Sequence, residues 1–77
     1  MIVYGSKQCP DTMACLSFLS ENETPHEFRD IADLAVLKEF LKYRDTVSMF
    51  DGVRAGGGIG IPFIVQDDRQ FTFEWKE

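Results

Sequence analysis

The sequence predicts an α/β domain in which a βαβ unit is followed by a second helix and a β-hairpin, giving a four-stranded mixed sheet with helices packed on it. Three observations carry this reading. A short apolar, β-prone run from Ile2 to Tyr4 passes through a polar turn into a segment of helical spacing, Pro10 to about Asn22. An alternating stretch from His26 to Ile31 precedes a second helical segment running to about Arg44. The last quarter holds a near-continuous apolar run, Ile61 to Val65, a turn at Asp67-Asp68-Arg69-Gln70, and Phe71, Phe73 and Trp75 alternating with Thr72 and Glu74.

The first strand leaves through Gly5-Ser6-Lys7-Gln8 and delivers Cys9 to the point where the first helix begins. Pro10 follows at the first helical position, where a missing N–H costs nothing and φ is already set. The backbone N–H groups of Asp11 and Thr12 have no helical acceptor and are expected to face the sulfur, beside the positive end of the helix dipole. Such a setting favours the thiolate, which is the nucleophile. Lys7 adds to that field and Asp11 opposes it, but the Asp11 carboxylate is free to turn to solvent, so the helix end dominates.

Within the first helix, 100° per residue gathers Thr12, Cys15, Leu16, Phe18 and Leu19 into one arc, opposite Ser17, Ser20 and Glu21. Cys15 lies inside that arc and reads as a small buried hydrophobe. Six residues at about 1.5 Å rise put the Cα atoms of Cys9 and Cys15 roughly 9 Å apart. That exceeds the roughly 7 Å reach of a disulfide, so the two thiols are expected to stay unpaired.

Asn22 to Pro25 ends the helix, and the next strand begins at His26, which is expected in solvent. Asp33, or Asp30 before it, can cap the second helix. Leu34, Val36, Leu37, Phe40, Leu41 and Tyr43 give that helix a broad apolar face for packing on a sheet, with Lys38, Glu39 and Lys42 opposite. Val47, Met49, Phe50 and Val53 either extend it or form a short further helix, and Asp51-Gly52 reads as an ending. Ala55 to Gly60 is a glycine-rich connector without the Gly-Lys-Ser/Thr of a phosphate loop or the third glycine of a dinucleotide fingerprint. Pro62 at the head of a buried strand removes a ladder donor, and a cis Ile61–Pro62 bond supplies a reason for it.

Composition narrows the chemistry. The 77 residues suffice for one domain, taken as residues 1–77, and the hydrophobic share of 44% gives it a core. A net charge of −5 and the absence of any Lys/Arg cluster argue against nucleic acid or an acidic membrane as partner. No apolar stretch approaches the roughly 20 residues of a membrane span, and no basic region precedes an apolar run, so the expected location is the cytoplasm. Two cysteines and His26 cannot complete a four-ligand zinc site, and no metal is expected. If the cysteines act, they act as thiols.

With Cys9-Pro10 at the first helix start and Ile61-Pro62 before the third strand, the chain resembles the thioredoxin fold and, within it, the glutaredoxins. The resemblance covers about residues 1 to 75. Gly5-Ser6-Lys7-Gln8-Cys9-Pro10-Asp11, Phe40-Leu41-Lys42-Tyr43-Arg44-Asp45-Thr46 and Ile59-Gly60-Ile61-Pro62 look most like a bacterial glutaredoxin-related subgroup. The resemblance implies that Cys9 is the attacking cysteine of Cys-Pro-x-Cys. It implies that the Ile61-Pro62 backbone lies across from Cys9 and pairs with an extended disulfide substrate, and that Lys7 meets a carboxylate of glutathione. Thr12 stands where a dithiol relative has its second cysteine. The Gly-Gly-Cys/Ser-Asp segment that holds the γ-glutamyl end of glutathione has no counterpart in Phe71 to Glu77, and the family's final helix is expected to be absent. Cys-Pro-Asp-Thr is also not the Cys-Gly-Phe-Ser of iron–sulfur-carrying monothiol relatives.

The function expected is therefore a monothiol thiol-disulfide oxidoreductase serving cell redox homeostasis. Cys9, Pro10 and Thr12 form its catalytic set, with Thr12 hydrogen-bonded to the sulfur, and Lys7, Ile61 and Pro62 bind substrate or glutathione. No resident cofactor is expected; glutathione or another low-molecular-weight thiol is the co-substrate, a disulfide-containing protein or small thiol is the partner, and the protein is monomeric. Two alternatives stay open: a redox-inactive binding or regulatory module using the cis-proline groove, and an oxidation sensor that dimerises through Cys9.

Overall fold

The computed structural model describes residues 1–75. The elements run β1 (Ile2–Gly5), α1 (Pro10–Glu21), β2 (Glu27–Asp30), α2 (Leu34–Thr46), a 3-10 turn (Ser48–Phe50), α3 (Asp51–Ala55), β3 (Phe63–Val65) and β4 (Phe71–Thr72). The four strands form one mixed sheet in the order β2-β1-β3-β4. β1 pairs parallel with β2, returning through α1, and antiparallel with β3, which pairs antiparallel with β4. The protein is thus an α/β fold with three α-helices among the described residues.

Side-chain alternation on the two central strands sorts the core into two faces. Tyr4, Phe63 and Val65 point to one face, where Phe40 of α2 and Phe50 of the 3-10 turn close over them. Val3 and Ile64 point to the other, where α1 supplies Cys15 and Leu19. The first face is largely aromatic: the Phe63 ring centroid lies 4.8 Å from that of Phe50, 5.4 Å from Tyr43 and 5.6 Å from Phe71. Contacts of that geometry add to the area that the rings bury.

Four features differ from the sequence reading. The contact stripe of α2 is Val36, Leu37, Phe40, Tyr43 and Val47, whereas Leu34 and Leu41 are 64% and 37% exposed. At 100° per residue those two leucines lie roughly 120° from the centre of the stripe, so counting apolar residues overstated the buried face. Glu39 is closer to the stripe, and its carboxylate accepts from the Tyr4 hydroxyl and the Arg29 guanidinium. Asp51-Gly52 opens α3 rather than ending a helix, because an acidic first-turn residue suits the helix dipole and Asp51 pairs with Arg54 one turn on. His26 is half-buried, and its Nδ1–H donates to the Thr24 carbonyl at 2.8 Å.

The fourth difference is at the hairpin. β4 stops at Thr72, whose hydroxyl accepts from the Glu74 N–H at 2.8 Å and turns the chain out of the sheet. Phe73 stays with Phe50 and Phe63, but Trp75 crosses to the α1 face and meets Phe18 edge-on at 5.8 Å. The alternation 71-73-75 therefore does not mark a single face. No helix of the described residues is long and apolar enough to cross a membrane.

Candidate functional site

Cys9 is the residue on which α1 starts. It is the N-cap, with extended backbone (φ −96°, ψ 118°), and Pro10 opens the helix. The turn before it is fastened on itself: the Cys9 N–H donates to the Ser6 carbonyl at 3.0 Å, and the Gln8 N–H donates to Ser6 Oγ at 3.1 Å. The Cys9 carbonyl accepts the Met13 N–H at 3.1 Å, the first bond of the helix. Backbone hydrogen bonds on both sides thus hold the cysteine at the junction, where its side chain is half-buried and its thiol free.

The sulfur makes no capping hydrogen bond to the first turn of α1. A thiol sulfur is a weak, long acceptor, which accounts for the missing cap bond. Thr12 departs from expectation. It is fully buried, and its hydroxyl accepts from the Ser6 N–H at 3.4 Å, so it anchors the turn before Cys9 rather than bonding the sulfur. Gly5 makes room for it: a Cβ there would lie 2.5 Å from Thr12 Cγ2 and 2.6 Å from Oγ1.

A groove of about 360 Å³ runs past this helix start. It is lined by Asp11 of α1, Val53 of α3, the Gly60-Ile61-Pro62 segment, and Phe73, Glu74 and Trp75 beyond β4. The Ile61–Pro62 peptide is cis, and Pro62 is buried at the head of β3. Gly60, at φ +88°, lets the backbone pass Phe50; a Cβ would meet Phe50 Cε1 at 2.7 Å. The structure thus brings Ile61 and Pro62 into one groove with the first turn of α1. Cys9, Pro10, Thr12 and Lys7 do not line it, and Lys7 is exposed on the turn before Cys9. Sequence reasoning missed Phe73, Glu74 and Trp75 as lining residues, because the Thr72 turn that swings them there looks like continued strand alternation.

Cys15 is fully buried between α1 and the sheet, and burial pushes its thiol up to about 11. Near neutral pH it stays protonated, leaving Cys9 as the cysteine suited to nucleophilic chemistry. Tyr4 is raised well above its usual range by burial first and by its bond to Glu39 second. Glu39 is lowered, chiefly by the Tyr4 hydroxyl and then by Arg29, which is held charged by Glu27 and Glu39. This cluster belongs to the sheet and α2, away from the groove. Among the described residues no group of three or more His, Cys, Asp or Glu side chains is placed to hold a metal ion.

Over 65 residues, which are 83% of this chain and 76% of the relative, the sequence is 31% identical to an uncharacterized protein of Haemophilus influenzae. The chain belongs to that protein's family. No family model matches the sequence, and no solved structure matches it.

Proposed function

We propose that the chain is a cytoplasmic, monomeric thiol-disulfide oxidoreductase of glutaredoxin type, a monothiol enzyme on a thioredoxin-like fold. The observation that carries this reading is a free, half-buried cysteine at the N-cap of α1, a helix whose first turn lines a groove together with a cis-proline. The strand order and the βαβ-helix-ββ succession are compatible with that fold.

The reaction runs in two exchanges. The Cys9 thiolate attacks one sulfur of R–S–S–R′, forming Cys9–S–S–R; the old S–S bond breaks, and R′S⁻ leaves with the electron pair and takes a proton from water. A second thiol, as its thiolate R″S⁻, then attacks the R sulfur of the adduct. R–S–S–R″ leaves and the Cys9 thiolate is regenerated. With Thr12 in place of a second cysteine, the resolving thiol comes from outside, so glutathione or another small thiol is co-substrate and no resident cofactor takes part. Thr12 contributes by fixing Ser6, and through it the turn that holds Cys9. Ile61 and Pro62 offer the groove backbone against which an extended disulfide would lie.

Steady-state reduction of a small mixed disulfide by a thiol tests this, comparing the native chain with Cys9→Ser. Turnover that vanishes in the variant supports the reading; equal rates contradict it. A second reading, a binding module using the same groove, is favoured by Cys9 lying outside the groove lining. In that case the variant retains every binding property and the native chain has no turnover to lose.

A further inference from the structure

Among the described residues, the groove that the first turn of α1 helps to line carries one sign of charge. Its ionisable lining residues among those described are both carboxylates, Asp11 in the first turn of α1 and Glu74 beyond β4. Both side chains are exposed, and neither carboxylate has a hydrogen bond or ion pair among the described residues. The nearby arginines are engaged elsewhere: Arg54, next to Val53, donates to the Arg44 carbonyl and to Asp51, and Arg44 donates to the Gly58 carbonyl at 2.7 Å. Lys7 stands outside the lining. The lining also includes Ile61, Pro62, Phe73 and Trp75, and aromatic rings attract cations as well as apolar groups. The net charge of −5 extends the same field beyond the groove.

We infer that this groove selects disulfides carrying positive charge. Its substrates would be amine-bearing small disulfides, or protein disulfides with Lys or Arg beside the cystine, and thiols rich in carboxylates would be disfavoured. Asp11 and Glu74 are the residues that set the preference. The inference rests on Cys9 acting in thiol-disulfide exchange and specifies which partner Cys9 meets. Glutathione, with two carboxylates and one ammonium, is a poor fit to a groove whose charged lining residues, among those described, are carboxylates, so a cationic or neutral thiol suits the resolving step better.

The test uses three small disulfides of similar size: cystamine, a dication; 2-hydroxyethyl disulfide, neutral; and 3,3′-dithiodipropionate, a dianion. Formation of the Cys9 mixed disulfide is timed by intact mass, each rate being divided by that of a free neutral thiol with the same reagent to remove intrinsic reactivity. The expected order is cationic, then neutral, then anionic, spanning about tenfold or more at low salt and shrinking as ionic strength rises. In Asp11→Asn/Glu74→Gln the span should contract at least about threefold, because the removed charges act on the substrate directly. Equal normalised rates, or a span that survives in the double variant, overturn the inference and leave Cys9 exchange standing. No adduct at Cys9 with any of the three overturns both.

Discussion

Gly5 and Thr12 occupy each other's space: the Thr12 side chain fills the position that a Cβ on Gly5 would take, with Cγ2 and Oγ1 within 2.6 Å of it. The last residue of β1 and the first turn of α1 therefore interlock directly under the Ser6–Cys9 turn. Gly5→Ala should destabilise the fold by about 1–3 kcal/mol, the range for forcing an extra methyl into a packed site. Thr12→Ala should recover much of that loss in the double variant, since it removes both clashing atoms. Urea denaturation of the four-member cycle measures this; additive effects would show that the contact does not limit the site.

Thr12→Cys puts a thiol one helical turn from Cys9, at a buried position facing the same junction. On mild oxidation this variant should lose two hydrogens by mass, with the new bond mapped between residues 9 and 12, whereas the native chain should only form adducts. The variant should also reduce disulfides without a small thiol to resolve the adduct. Two thiols remaining free after oxidation would show that the start of α1 keeps them out of reach.

The succession of elements and the position of Cys9 were readable in the sequence because local signals coincide there. Pro10 follows the cysteine, an apolar run precedes it, and Thr12, Cys15 and Leu19 recur at helical spacing, so one local pattern sets strand, turn and helix. The capping of α2 by Asp33 was equally local, its carboxylate accepting from the Ala35 N–H at 2.9 Å. What escaped depends on distant partners. Leu34 and Leu41 look like core until the sheet selects the stripe through Phe40, and Glu39 looks like surface until Tyr4 and Arg29 reach it. The Thr12 hydroxyl has a choice of neighbours that only the folded turn decides, and the Thr72 turn carries Glu74 and Trp75 to the groove against an alternation that reads as strand.

Burial of Cys15 links stability to alkaline pH. Its thiol titrates near 11 in the fold against an ordinary 9.0, so between those values the folded state holds a proton that the unfolded chain has released. Stability should be intact below about pH 9 and decline as pH rises toward 11, by on the order of 2 kcal/mol from this group. Tyr4, raised by burial and by Glu39, acts in the same direction at higher pH. Cys15→Ala should flatten the first part of the decline while leaving Cys9 chemistry intact. A decline unchanged in that variant would assign it to other groups.

The Tyr4 hydroxyl and Arg29 both donate to the Glu39 carboxylate, tying β1, β2 and α2 together. Tyr4→Phe should cost about 1 kcal/mol, the typical net worth of one such bond. It should also move the Glu39 titration up toward its ordinary value, since the tyrosine is the largest cause holding it down. The native contribution of Glu39 is present above the ordinary carboxylate range and lost as pH falls through its lowered value, so the variant should lose part of that dependence. Carboxyl NMR titration reads the shift, and an unmoved Glu39 would mean that Arg29 alone sets it.

The most direct measurement is competitive trapping of the two thiols in the native chain. The reduced protein is exposed to a limiting small disulfide at neutral pH, quenched by acid and peptide-mapped by mass. The account predicts an adduct confined to Cys9, with Cys15 unmodified while the fold is intact. An adduct on Cys15, or a Cys9 no faster than a cysteine in an unstructured peptide, would contradict it.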